Sequence, residues 1–422
     1  MKFPKNKSNA FFKPDTALGS NQIGVRQHNE RIILHIIRRS GSISKAEIAR
    51  ITNLSQQTVS VIINRLIRTG LLIKLPKQRG KVGQPSVPIT LNPDGAFSIG
   101  IKIGRSSLDI LTMSLTGEVK KLTTNDYHFP DPDDVFEKID KAVTVHQEAL
   151  SMEHRGRLVG IGVAAPYGIG GWEQEIGAPQ KIMQKWDNLD IRSSILRSTD
   201  LEVLVSNDAT AACIAELVFG QGRDFQTFLY FFIGTFIGGG VVIEDILYPG
   251  TFQNAGALGS MPICSKDGRQ RPKQLIQQAS LFHLERTIKE AGFSPELLRE
   301  EKELPNIVNA IVTDWISTAS RALAFAMASA ISIIDFEGIV IDGRMSPALI
   351  KQLVDQTIRN LDELNLEGLV TPKIIPGTIG PDARALGGAI LPLYSNFAPD
   401  PDIILLTSSI QEMNYNKNNS II

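Results

Sequence analysis

Cysteine is nearly missing from this chain: there are two in 422 residues, Cys213 and Cys264. Two thiols cannot build a disulfide framework, and their scarcity fits a reducing, cytoplasmic compartment. No run of about 18 uninterrupted apolar residues occurs, so no membrane span is expected. The histidines (His28, His35, His128, His146, His154 and His283) show no metal-ligand spacing and read as ordinary surface or boundary residues. Residues 1–23 carry lysines but no apolar stretch, which predicts a flexible basic arm in place of a signal peptide. The polar, Asn-rich end of the 396–422 tail is expected to be disordered.

The most informative absence is of one charge sign. No Asp or Glu occurs between Asn53 and Asp94. The chain is formally neutral, with 44 basic and 44 acidic residues, but the charges are segregated. Residues 1–92 hold sixteen Lys and Arg against Asp15, Glu30 and Glu47, a balance of +13, which leaves −13 for the rest. A small basic module that faces a polyanion, joined to a larger acidic body, accounts for the asymmetry.

Within residues 24–92 the spacing predicts three helices and a two-stranded ribbon. Apolar Ile32, Ile33, Ile36 and Ile37 mark a helix over 27–39, and Ser44 with Glu47 matches a capping box opening a short second helix. Ser55 caps the third, whose stripe is Val59, Ile62, Ile63, Leu66 and Ile67, with Gly70 as its stop. Its other face offers Gln56, Gln57, Thr58, Ser60, Asn64, Arg65 and Arg68. A short helix and tight turn leading into such a helix form a winged helix-turn-helix, with the second helix entering the major groove. The candidate DNA contacts are Ser44, Lys45, Ser55, Gln56, Gln57, Thr58, Ser60 and Arg65, with Arg79 and Lys81 on a basic wing between strands 71–75 and 87–91. Gln56, Gln57 and Ser60 suit base edges, whereas Lys45, Arg65 and Arg68 suit phosphates. A small packing domain with merely solvated charges is the plainer alternative; the acid-free face and the wing speak against it.

Beyond a connector at 92–95 the pattern becomes mixed α/β, and clusters of strands occur twice. That recurrence predicts two related lobes with a ligand cleft between them. Three motifs are placed at that cleft. Ile99–Ser106 is a strand and glycine turn containing Gly104; Ser206–Ala211 carries Asn207 and Asp208; Ile233–Gly240 is a glycine-rich hairpin with Gly234, Thr235, Gly238 and Gly239. Each alone has a plain explanation, since glycines solve backbone problems and an Asp can cap a helix. Trp186 reads as a core tryptophan sooner than as the floor of a sugar site.

In their order and spacing, the motifs over residues 24–395 resemble the ROK family of repressors and sugar kinases. The resemblance implies a winged helix-turn-helix (24–92) followed by a two-lobed, actin-like sugar-kinase fold (96–395). It implies ligand contacts at Asn207, Asp208, Gly256 and Ser260, with Asp208 in the place of the catalytic base and Gly104, Gly234, Thr235, Gly238 and Gly239 as vestigial phosphate loops. The kinase pattern is also broken. Lys102 stands where the first loop has an acid, Arg105 where it has glycine, Ser106 where it has threonine, and Phe236 replaces a glycine of the second loop. Ala257 and Ser260 replace the sugar-binding glutamate and the zinc-binding histidine, and the family's cysteine cluster is absent, so no metal or cofactor is expected. Lys102 and Arg105 either attract an anionic ligand or point to solvent.

The resulting expectation is a cytoplasmic transcriptional regulator of sugar genes, a repressor sensing a sugar in a non-catalytic kinase cleft. Its partners would be operator DNA, the effector and a second copy. The alternatives are an ATP-dependent sugar kinase with an attached DNA-binding domain, which Asp208 favours, and a ligand-free dimerisation scaffold.

Overall fold

The computed structural model describes residues 22–77, 87–166, 168–169, 178–187, 189–252, 254–263 and 273–399. The chain divides into two compact units, one of residues 1–207 with 388–422 and the other of residues 208–387.

The first unit opens with α1 (Gln22–Ser40), α2 (Lys45–Thr52) and α3 (Gln56–Arg68). Ile33, Ile37, Ile48, Val59 and Ile63 are wholly buried where the three meet. Each such side chain contributes roughly 2 kcal/mol by leaving water. The Ser44 hydroxyl accepts the Glu47 amide at 3.2 Å, as expected of a cap. The other half of the predicted capping box does not form, because the Glu47 carboxylate instead binds Arg50 at 2.5 Å. Asn53 takes a left-handed φ of 55° and turns the chain into α3. Gly70, at φ 81°, ends α3, its amide donating to Ile67. The ribbon pairs β1 (Leu72–Lys74) with β2 (Ile89–Leu91) antiparallel, Leu72 opposite Leu91. Arg79 and Lys81 lie outside the described residues.

The 92–95 connector is a pinned turn. Asn92 Nδ2 donates to the Gly70 carbonyl at 2.7 Å, and Arg157 Nη1 to that of Asp94 at 3.4 Å. A Cβ on Gly70 would lie 2.4 Å from the Arg157 guanidinium, so reader and body meet there within one unit.

The repeat predicted from the strand clusters is present in full. The first sheet contains β3 (Phe97–Ile103), β4 (Ser107–Ser114), β5 (Val119–Asp126), β6 (Leu158–Ala165) and β7 (Val203–Asn207), in the order β5-β4-β3-β6-β7. The second unit has β8 (Phe228–Ile233), β9 (Gly238–Ile243), β10 (Ile246–Tyr248), a small ribbon of β11 (Pro262–Ile263) and β12 (Lys273–Gln274), then β13 (Gly338–Gly343) and β14 (Lys373–Pro376). Its sheet runs β10-β9-β8-β13-β14. In each sheet the first three strands are an antiparallel meander and the last two join in parallel. Central strands β3, β8 and β13 are buried along their whole length, which explains their unbroken apolar runs.

The larger helices of the body are α4 (Pro132–Glu148), α5 (Asp208–Phe219), α6 (Asn306–Ile331), α7 (Pro347–Asp362) and α8 (Ala383–Phe397). The chain passes from the first unit to the second between Asn207 and Asp208, and returns inside α8 between Gly387 and Gly388. Gly387 at this crossing and Gly162 of β6 admit no side chain. A Cβ on Gly387 would lie 1.8 Å from the Ala211 carbonyl of α5, and the Gly388 carbonyl would be 2.0 Å from a Cβ on Gly162 of β6.

Two sequence expectations are settled by burial. His146 of α4 is not a surface residue: it is fully buried, its Nδ1 2.8 Å from the Thr112 hydroxyl and its Nε2 3.0 Å from that of Thr123. Burial, with nearby Lys121, lowers its pKa to about 4, so it is neutral. Trp186 is a core residue, donating to the Pro130 carbonyl at 2.8 Å.

Candidate functional site

The helix most suited to reading DNA is α3. Its stripe of Val59, Ile62, Ile63 and Leu66 is buried, so the opposite face must point outward. Ser55, Gln56, Gln57, Asn64 and Arg68 are exposed there, while Thr58 and Ser60 are half-buried. Ser55 Oγ accepts the Thr58 amide at 3.1 Å, and the Ser55 and Thr58 hydroxyls lie 2.8 Å apart. Both residues therefore fix the helix start, as Ser44 does for α2. Amides at positions 56 and 57 occupy the N-terminal turn, where base edges are reached.

Two of the expected phosphate contacts are engaged inside the protein. Arg65 Nη1 lies 3.0 Å from Oε1 of Glu30, a buried carboxylate of α1. Burial pushes the Glu30 pKa up, while Arg65 and Arg26 pull it down. Arg65 thus keeps that buried acid partnered in addition to being half-exposed. Lys45 Nζ donates to Asn64 Oδ1 at 3.3 Å, and its pKa is lowered by burial and by Lys74. The Lys45–Lys74 pair is a local positive patch joining α2 to β1, and Lys74 is not among the residues that the sequence pointed to. Val61 was missed as well. It is 64 % exposed in the middle of the polar face, where an apolar contact suits a thymine methyl. A helical wheel places it off the buried stripe, so the signal was available.

The first unit carries residues 99–106, the segment expected to be an altered phosphate loop. Lys102 does not point to solvent, nor does it await an anion. It is buried, with Nζ 2.5 Å from Asp109 Oδ2 and 2.8 Å from Ser107 Oγ. The loop's own donors and acceptors are in use too: the Gly104 amide donates to the Ser107 carbonyl at 2.9 Å, and Tyr127 donates to that of Gly104 at 2.6 Å. A Cβ on Gly104 would lie 2.9 Å from Lys102 Cε, so this glycine makes room for the lysine. A protonated amine in that pair cannot ligate Mg²⁺. Asn207 is half-buried at the end of β7.

In the second unit Asp208 opens α5 and is held by Arg384 of α8, with Nη1 3.0 Å from Oδ2. Both side chains are largely buried, and the guanidinium also stacks 5.2 Å from the Phe232 ring centroid. The hydroxyl of Thr235 accepts from Arg344 at 3.1 Å. The carbonyls of Gly234 and Thr235 receive the amides of Leu281 and Phe282, and Phe236 packs against Phe282. Packing explains Gly238 and Gly239: a Cβ would sit 2.6 Å from Ala209 Cβ at the first and 2.1 Å from the Tyr230 carbonyl at the second. Gly256 has φ 78° and backs onto Gly240, and Ser260 is exposed. The residues present do not fit the family's zinc, since Ala257 and Ser260 supply no zinc ligand. Among the described residues no three His, Cys, Asp or Glu gather as a cation site.

Sequence reasoning also missed a pair of buried acids beneath this region. Glu216 of α5 accepts the Gln221 amide at 2.7 Å, and Asp342 of β13 accepts the Tyr230 hydroxyl at 3.2 Å and the Gly343 amide at 2.8 Å. Burial, then the charge of Asp342, pushes the Glu216 pKa up to about 7. Burial likewise raises that of Asp342. Acids inside apolar runs, at 216 and 342, were the available clue.

The ROK family profile matches residues 98–393, and the MarR family profile matches residues 27–81. The xylose repressor of Bacillus subtilis is 26% identical over 249 residues, 58% of this chain and 62% of that protein. The match thus spans less than two thirds of the repressor. A crystal structure of a ROK family transcriptional regulator, a homologue of the Escherichia coli MLC protein, superposes with a TM-score of 0.64 at 21% identity, covering 91% of this chain and all of that one. A ROK family glucokinase from Streptomyces griseus, solved with glucose and AMPPNP, gives 0.52 at 20% identity over 70% of this chain and 99% of its own. At such identities the superpositions establish a shared fold. No helix among the described residues is long and apolar enough to cross a membrane.

Proposed function

The chain belongs to the ROK family, and on that premise we propose that it is a DNA-binding transcriptional regulator, a repressor of sugar metabolism or transport genes. Residues 24–92 are the reader and 96–395 the sensor. The observation that carries this reading is α3: a capped helix with Gln56 and Gln57 exposed in its first turn, in a stretch free of acids. The sensor takes a sugar or sugar derivative near Asn207, Asp208, Gly256 and Ser260 and does not phosphorylate it. Support for a non-catalytic body comes from groups already engaged: Asp208 with Arg384, Thr235 with Arg344, and Lys102 with Asp109. A base held in an ion pair must break it before taking a proton from a sugar hydroxyl. The effector acts by binding two conformations unequally, one of which holds operator DNA better.

Footprinting on the DNA upstream of the chain's own gene tests the first half, and repetition with a monosaccharide panel, xylose included, tests the second. Protection of a defined site, relieved by one sugar, is expected. Salt-sensitive binding without sequence preference would refute the regulator reading. Phosphate transfer from ATP to any hexose, abolished by Asp208→Asn, would establish the kinase reading in its place.

A further inference from the structure

The basic module meets the body across residues 92–96, between β2 and β3. A tether that lets two domains swing is built of exposed small or polar residues with few contacts. This connector is built the other way. The Asn92 amide donates to the Leu71 carbonyl at 2.9 Å, its Oδ1 accepts the Asp94 amide at 3.2 Å, and its carbonyl accepts the Gly95 amide at 2.9 Å. Gly95 is buried, and a Cβ there would lie 2.9 Å from the Gly70 carbonyl and 3.1 Å from Leu115, which follows β4. Ala96 and Phe97 are wholly buried.

The residue that spans the boundary is Arg157. Its backbone belongs to the body, since it precedes β6 and its carbonyl accepts the Phe97 amide at 3.0 Å. Its guanidinium reaches the module, with Nη2 3.2 Å from the Glu153 carboxylate and Nη1 3.4 Å from the Asp94 carbonyl. Nη1 and Nη2 stand 2.4 and 3.0 Å from the place of a Gly70 Cβ. Gly70, which ends α3, is thus glycine for two reasons: its φ of 81°, and a guanidinium that fills the space of a side chain. The module is held at a second point. Arg38, near the end of α1, has its Nε out of water; burial lowers its pKa, and Tyr394 of α8 acts in the opposite sense. All of these residues belong to one compact unit.

We propose that Arg157 is a positioning residue for operator recognition: it clasps the C-terminal end of α3 to the first sheet, so that the reading helix turns with that sheet and not on its connector. The inference rests on α3 being the DNA reader. Base-edge contacts need donors and acceptors set to within a fraction of an ångström, whereas phosphate attraction tolerates a looser fit. A fixed reader has no swinging freedom to lose when it meets the bases, so the clasp favours specific over nonspecific binding. It also defines how an effector reaches the DNA, because whatever turns the first sheet turns α3 with it.

The test uses the full chain carrying Cys264→Ser, with nitroxides on Arg50→Cys of α2 and Thr144→Cys of α4; Cys213 is buried and stays unlabelled. Double electron–electron resonance without DNA should give one narrow distance. Arg157→Ala should broaden it. In the unlabelled chain the same change should lower affinity for the footprinted operator about tenfold and leave that for a scrambled duplex unchanged. Asn92→Ala, which removes a second side-chain bond to Gly70, should act in the same direction, with circular dichroism confirming that each variant is folded. A distance distribution already broad in the parent, or unmoved by Arg157→Ala, would overturn the clasp. Equal losses on the two duplexes, or broadened distances with unchanged operator affinity, would overturn its role in recognition. A parent chain with no preferred site refutes the regulator reading instead, and the distances still decide the clasp.

Discussion

Replacing Lys102 by methionine should destabilise the protein by about 3 kcal/mol, because Asp109 would be left largely buried without its partner. Adding Asp109→Leu should recover most of that loss, a double-mutant cycle readable by urea unfolding. Lys102→Asp, which restores the kinase-type residue, should be worse than methionine and should produce no kinase. A second effect at this scale is pH-dependent. With a folded pKa near 7 against an ordinary 4.5, Glu216 favours the folded state when it holds its proton. Below about pH 4.5 that contribution is complete, since both states are protonated. Between pH 4.5 and 7 the unfolded chain gives up its proton first, so stability falls as pH rises, by roughly 3 kcal/mol in all. Glu216→Gln should remove this slope, so the melting temperatures of the two proteins should diverge between pH 5 and about 7 and keep a constant gap above it. Parallel curves would mean that Glu216 titrates normally. The kinase-pattern departures were legible as identities, but their meaning was not. A lysine in place of an acid says nothing about Asp109, seven positions on, until a hairpin sets β3 against β4.

At the scale of the element, the proposed reading of DNA rests on α3 and its supports. Gln57→Ala should cost about 1–3 kcal/mol in operator affinity while leaving nonspecific binding unchanged, as measured by titration on specific and scrambled duplexes. Val61→Ser should weaken binding selectively at sites with thymine under the centre of the helix, and thymine-to-uracil replacement in the duplex should mimic it. Loss of affinity on both duplexes would mean instead that the variants damage the helix. The helix, its cap and its stop were readable from the sequence because all three are local, set by 3.6-residue periodicity and by side chains within four positions. The partner of Arg65 was not readable. Glu30 belongs to α1, and only the packing of the two helices brings Arg65 to that buried acid.

For the whole molecule, the twice-repeated strand pattern was visible because buried central strands leave apolar runs. The strand order was not, since parallel neighbours such as β6 and β3 are joined only through long intervening segments. The charge split also takes on a sharper form. Part of the basic module's charge is paired within the module, through Arg65 on Glu30 and Arg50 on Glu47, so a count of positive residues overstates its unpaired charge.

The position of Gly388 within α8 has a consequence for how the protein is made. The first unit is interrupted by the 180 residues of the second, and its closing half-helix comes last. Until then β3 and β6 lack the segment that Ser98 and Gly162 contact, at the carbonyls of Ala389 and Gly388. At about 5–20 residues per second, a ribosome needs roughly 10–40 s to bridge that gap. The reader and its sheet are thus synthesised well before the helix that completes them. A chain ending at Gly387 should therefore be recovered as aggregate, and one with residues 388–399 supplied as a separate peptide should regain solubility in a dose-dependent way. Soluble, monodisperse truncated chain in a sedimentation assay would show that the unfinished sheet is stable by itself.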